Sequence, residues 1–153
     1  MTLKKKIRVA RPSFGIIVTD AVFSMDGDVS PLPDIIALAK KYNLLSMTDE
    51  AHAIGVIGNT GRGIVEYFNL KEKPDVMMGT LSKALASEGG FVSGRALLIE
   101  YLKNTARSFI FSTSQSRASL AAAKESLAIV EKEPKRVARL QENSCVLYNA
   151  LDT

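Results

Sequence analysis

Cysteine occurs once in the 153-residue chain, as Cys145. A lone thiol excludes an internal disulfide and a cysteine-based zinc site, and it reads as a buried or half-buried residue. Long apolar runs are also missing. None approaches the roughly 20 residues that span a bilayer, and no segment resembles a cleavable signal with an apolar core. These absences point to a cytoplasmic protein with no membrane partner. Histidine is confined to His52, and neither repeats nor low-complexity tracts are found. Apolar residues, by contrast, make up 46% of the chain, enough to pack a core in about one domain.

The net charge of +4 is unevenly spread, with Lys4, Lys5, Lys6, Arg8 and Arg11 all in the first eleven residues. A nucleic-acid contact would interleave such charges with aromatics and lead into a recognition module. Neither is present, so no nucleic-acid partner is expected and residues 1–14 read as a basic, solvated N-terminal arm. Lysine rather than arginine dominates it, which suits an organellar presequence poorly.

Beyond the arm, β-branched residues over 15–20 predict a buried strand, apolar without alternation. Pro31 and Pro33 open a helix over about 34–42, with Ile35, Ile36, Leu38 and Ala39 inward and Asn43 as its cap. A second strand covers 44–48 and ends at Asp49. A glycine-rich loop, 55–63, leads to a short helix near 64–68. Pro74 stops that segment before a third strand at 76–78, and 91–94 reads as a fourth. A helix over about 96–105 and an aromatic strand at 109–111 come next. From about Arg117 the pattern is helical, with Leu120, Leu127, Val130, Val137, Leu140 and Leu147 at helical spacing and a division at Pro134. Strands alternating with helices imply an α/β fold with a mostly parallel sheet and right-handed crossovers. Ligands of such sheets gather beyond the carboxyl ends of the strands.

Three segments fall at those ends: Phe23-Ser24-Met25-Asp26-Gly27-Asp28, Asp49-Glu50-Ala51-His52 and Thr80-Leu81-Ser82-Lys83. A lysine just past one apolar run and a carboxylate at the end of an earlier one are what a pyridoxal phosphate (PLP) enzyme needs. The amine holds the cofactor covalently, and the carboxylate keeps its pyridine nitrogen protonated. Each residue also has a plainer reading. Lys83 would be a surface lysine at a helix start, Asp49 a helix-capping aspartate, and His52 a structural histidine.

Read in order, these segments closely resemble the α-oxoamine synthases, over about residues 15–123. The resemblance points to the branch containing 8-amino-7-oxononanoate synthase and 2-amino-3-ketobutyrate CoA ligase. It implies the large domain of a fold type I PLP-dependent transferase and PLP-dependent condensation of an amino acid with an acyl-CoA. Lys83 would carry PLP and move protons, Asp49 would pair with the pyridine nitrogen, and His52 and Ser24 would contact the phenolic oxygen. Thr80 and Ser82 would help to hold the phosphate. The catalytic set is then Lys83, His52 and Asp49. Gly61-Arg62-Gly63 reads as a structural turn, and Phe111-Ser112-Thr113 resembles a segment that approaches the neighbouring subunit's cofactor in family dimers. A homodimer is accordingly expected of the complete enzyme. Alternatives are another fold type I reaction, such as transamination, or an inactive truncated fragment.

Rival motifs fail on spacing. Gly55, Gly58 and Gly61 do not spell a dinucleotide fingerprint, and the residues before Lys83 do not form a phosphate-binding P-loop. Asp26 and Asp28 suggest a calcium loop, but its twelfth position is Ala37. No nucleophile elbow is present. The chain departs from the family pattern at Ala86, where glycine is common, at Glu88, a charge close to the lysine, and at Arg117, where proline is common. Complete members of such a family are more than twice as long, so residues 15–153 match a partial PLP-binding large domain.

Overall fold

β-Branched side chains suit a pleated strand better than a helix, and Ile16–Asp20 forms the first strand, β1. The computed structural model describes residues 2–10 and 12–151, so Arg11 lies outside the described residues. Before β1, the basic segment forms a helix, α1 (Leu3–Ala10), whose Ile7 is buried. Its lysines are exposed, as expected of a solvated segment, but Ile7 packs with Ile17, Ile35, Ala39 and Leu44.

Pro31 and Pro33 bracket the first turn of α2 (Leu32–Lys41), where the missing N–H groups would have had no helical partner. Asn43 follows at φ 51°, and its N–H bonds to Lys40 O at 3.1 Å. Two offset i, i+4 pairs on α2 serve two cores. Ile35 and Ala39 join the cluster with Ile7, whereas Leu32 and Ile36 pack with Ala21, Ala53 and Ile64.

The remaining strands are β2 (Leu45–Asp49), β3 (Val76–Thr80) and β4 (Gly90–Gly94). Sheet order is β1-β2-β3-β4, with the first two pairings parallel and the last antiparallel. A short helix, α3 (Ile64–Tyr67), lies between β2 and β3. Then come α4 (Ala96–Thr105), α5 (Arg107–Ile110), α6 (Arg117–Lys132) and α7 (Lys135–Leu151), the last two divided at Pro134. Among the described residues no helix is long and apolar enough to cross a membrane.

Three expectations need correction: the burial of β1, the strand at 109–111 and the burial of Cys145. β1 is buried on one face only: Ile17 is covered by α2, while Ile16 and Val18 are exposed. The aromatic run at 109–111 is helical rather than extended. With no neighbouring strand to pair with, Phe109 N–H and Ile110 N–H both bond locally to Ala106 O, and a three-residue apolar run carries no period that could have told the two apart. Along α6 and α7 the helical spacing is as expected, but Leu120, Leu127, Leu140 and Leu147 are exposed, and only Ala123 and Val137 are buried. Cys145 is exposed rather than covered.

Strand alternation on β2 sends Ser46 and Thr48 to the covered side, an unusual place for two hydroxyls. Asp75, just before β3, resolves the first. Its Oδ2 accepts from Ser46 N–H at 2.9 Å and from Ser46 Oγ at 3.0 Å, and its own N–H donates to Ser46 Oγ. Replacing Asp75→Ala strands two donors of a nearly buried serine and is expected to cost about 2–3 kcal/mol. Ser46→Ala keeps the backbone bond and should cost less, about 1 kcal/mol. Urea unfolding followed by circular dichroism checks both, and an unchanged midpoint for Asp75→Ala would refute the anchor.

Candidate active site

Register brings the three chosen segments side by side. Asp20 pairs with Asp49, and Asp49 pairs with Met78, two residues before Thr80. The ladder continues past the strands: Ala21 N–H bonds to Asp49 O and Glu50 N–H to Met78 O, each at 2.8 Å. The chain leaving β1, β2 and β3 therefore starts from one edge, as a parallel sheet requires of its carboxyl ends.

Lys83 and His52 meet there. Lys83 Nζ lies 2.7 Å from His52 Nε2. A lysine ammonium donating across this gap requires Nε2 to be the unprotonated nitrogen, with any ring proton on Nδ1. Thr80 and Ser82 form a second pair, their hydroxyls 2.6 Å apart, and Thr80 Oγ1 also bonds to Gly89 O and accepts from Ser82 N–H. Asp49, at the end of β2, accepts Ala51 N–H through Oδ1 at 2.8 Å. That bond is local and of the capping kind, and it leaves Oδ2 without a hydrogen-bond partner among the described residues. Ser24 stands apart. It lies exposed in the turn closed by Phe23 N–H to Asp28 O and Gly27 N–H to Phe23 O, and its hydroxyl bonds to no other site residue.

Glu50 went unassigned on sequence grounds, yet it organises the segment between Asp49 and Ile64. It is 1% exposed. Oε2 accepts Ile64 N–H at 3.1 Å, Oε1 accepts the Thr48 hydroxyl at 3.4 Å, and its carbonyl accepts Ala53 and Ile54 N–H. Gly63, at φ 83°, must lack a side chain because a Cβ there would run into Oε2. The sequence signal was present. Carrying the alternation of Ser46 and Thr48 one step past Asp49 puts Glu50 on the covered side.

Burial pushes the Glu50 carboxyl above its ordinary value. The Ile64 N–H and Thr48 hydroxyl pull it back in part, and the charge of Asp49 pushes it up again. Glu66, on α3, goes the other way. Burial alone would raise it, but the Thr60 hydroxyl, the Arg62 and Thr60 N–H groups and the Arg62 charge together hold it below the ordinary value. Two glutamates thus hold the 50–66 segment with opposite responses to pH. A cavity of about 880 Å³ lies elsewhere, against Ile7, Arg8, Pro12 and Tyr42. No site residue lines it.

Comparison with known proteins gives a consistent answer. Residues 2–153 match the family model for aminotransferase class I and II. The chain is 49% identical to the 8-amino-7-oxononanoate synthase of Lysinibacillus sphaericus over 151 residues, 98% of this chain and 39% of that protein. Among solved structures it superposes on SPT with its PLP internal aldimine at a TM-score of 0.90 and 32% identity, over 98% of this chain and 38% of that one. Against 8-amino-7-oxononanoate synthase from Francisella tularensis the TM-score is 0.75 at 28% identity, over 92% of this chain and 42% of that one. The chain thus spans about two fifths of the length of the relatives it matches. The fold is that of the fold type I transferases, here a partial large domain.

The two glutamates predict opposite signs. A raised carboxyl keeps its proton in the native chain where the unfolded chain has lost it. The stability it contributes is complete below the ordinary 4.5 and is lost as pH rises through the raised value. Glu50→Gln, always neutral, should therefore gain on the parent as pH climbs from about 4 toward neutrality. Glu66 contributes above its ordinary 4.5 and loses that contribution as pH falls through its lowered value, so Glu66→Gln should fall behind the parent over the same climb. Glu50→Ala leaves Ile64 N–H unpaired and should cost about 2–3 kcal/mol throughout. Denaturant midpoints at several pH values measure all three. A Glu50→Gln difference that does not vary with pH would rule out the burial effect.

Proposed function

The chain belongs to the aminotransferase class I and II family, and from that premise we propose that it is the lysine-bearing part of a PLP-dependent enzyme that condenses an amino acid with an acyl-CoA to give an α-oxoamine. The observation that carries this reading is the 2.7 Å approach of Lys83 Nζ to His52 Nε2 at the shared carboxyl edge. The surrounding groups fit the cofactor's chemistry. Lys83 offers an amine to hold it, Asp49 a carboxylate oxygen free for a cationic ring N–H, and Thr80 and Ser82 paired hydroxyls for a phosphate. Ser24 is assigned with His52 to the phenolic oxygen.

Bound there, PLP supplies an electron sink that stabilises a carbanion on the substrate's α-carbon. Lys83 Nζ is the point of attachment and then the group that moves the α-proton. His52 Nε2 accepts a hydrogen bond from Nζ and so orients the lysine amine. Asp49 carries a negative charge to the end of β2, where a charge-assisted hydrogen bond stabilises a protonated ring nitrogen. In this reading residues 15–153 form the partial PLP-binding large domain and residues 1–14 its basic N-terminal segment. The enzyme is cytoplasmic, and its whole form is a homodimer. The similarity to 8-amino-7-oxononanoate synthase favours condensation over amino-group transfer.

An absorption spectrum with added PLP tests the site. The parent should give a band distinct from free PLP, which borohydride fixes on Lys83 in peptide mass mapping, and Lys83→Ala should abolish both. Identical spectra for parent and variant would refute the assignment of Lys83. Thiol release from acyl-CoA in the presence of glycine or alanine then tests the reaction class, and amino-group transfer without acyl-CoA would favour a transaminase instead.

A further inference from the structure

Lys83 sits in the loop between β3 and β4, whose shape is set from within. Leu81 N–H bonds to Gly89 O, Ser87 N–H to Leu81 O, and Ala86 N–H to Lys83 O, with Ala86 itself at φ 49°. Those bonds give the loop a form but do not fix where it lies against the rest of the protein. Buried Leu85 and the Lys83–His52 contact supply part of that attachment, and residues about thirty positions later supply the rest. Ser87 Oγ donates to Ser119 O at 2.6 Å, Ser119 Oγ donates to Glu88 Oε1 at 2.6 Å, and Gln115 Nε2 donates to Glu88 O at 2.8 Å.

Hydrogen direction makes this a single unit. The Ser119 hydroxyl has one proton and gives it to Glu88, so in the 2.7 Å pair of Ser116 and Ser119 hydroxyls Ser116 is the donor. Ser116 in turn accepts Ser119 N–H as the N-cap of α6. The carboxylate thus ends a relay of hydroxyls at the start of a sixteen-residue helix, where the helix dipole favours negative charge. Glu88 makes no ion pair with Lys83, whose amine faces His52 instead. The charge close to the lysine is occupied by α6.

We propose that Glu88 and Ser119 clasp the Lys83 loop to the first turn of α6 and thereby set the position of the Lys83 amine. Both are positioning residues. The inference rests on the reading of Lys83 as the cofactor lysine, but the clasp itself does not.

Two readouts separate them. Amide hydrogen exchange without cofactor should quicken over residues 81–89 in Glu88→Ala and in Ser119→Ala, with β1 and β2 unchanged. Glu88→Gln, whose amide oxygen still accepts, should restore the parent rates. PLP capture on Lys83, fixed by borohydride, should weaken about 5- to 30-fold in either alanine variant, the effect of one charge-assisted hydrogen bond. The double variant should be no worse than the poorer single one, and Glu88→Gln should recover most of the loss. Ser119→Ala places a strong helix former at a half-buried position in the first turn of α6, so it tests the clasp with little risk to the fold. Unchanged exchange over 81–89 overturns the clasp, and quickened exchange with undiminished PLP capture overturns its positioning role. If the parent captures no PLP on Lys83, the functional reading falls and the positioning role falls with it, while exchange alone still decides the clasp.

Discussion

Hydrogen bonding between the three parallel strands runs past their ends, from Ala21 N–H to Asp49 O and from Glu50 N–H to Met78 O. Everything at the site depends on that extension. Parallel pairing aligns the strands so that Asp20, Asp49 and Met78 stand abreast. A slip of one residue would send every side chain of a strand to the opposite face, and Asp49 and Glu50 would exchange environments. The same register that buries Glu50 therefore keeps Asp49 available.

That division of labour between adjacent carboxylates explains why the covered side of β2 is polar. Ser46, Thr48 and Glu50 are all buried, and each is satisfied: Ser46 by Asp75 and Glu50 by the Ile64 N–H, both from later segments, and Thr48 by its near neighbour Glu50. Apolar residues in those places would pack without holding the 50–63 loop in any particular course. The hydrogen bonds are directional, so they fix where the loop turns and hence where His52 stands relative to Lys83. The cost is a desolvated carboxyl, visible in the raised value of Glu50.

Much of this architecture was legible in the residues. Each of the four sheet strands lay within a residue or two of its expected place, Pro134 divided the last helices, and Asn43 ended α2, because β-branching, ring closure and positive φ are local properties. Local signals failed where the outcome depends on neighbours. Phe109, Ile110 and Phe111 look like a strand until no partner strand is found for them. Ile16 and Val18 look buried until only one face of β1 proves to be covered. Leu120, Leu127, Leu140 and Leu147 keep helical spacing while facing outward. Exposed apolar residues of this kind suit packing against further protein in a larger fold, in keeping with a chain that spans about two fifths of its relatives' length.

The site divides along the same line. Lysine, histidine, aspartate and hydroxyl residues at strand ends, with the family resemblance they carry, pointed to a candidate site from sequence, because the functional groups are fixed by residue type and the strand ends by periodicity. Distance is not a property of sequence. That Lys83 Nζ meets His52 Nε2, that Ser24 bonds to no other site residue, and that Glu88 turns to Ser119 instead of the lysine were decided by tertiary structure. Each depends on where two segments some thirty residues apart come to rest against each other, and only the packing of the whole chain settles that.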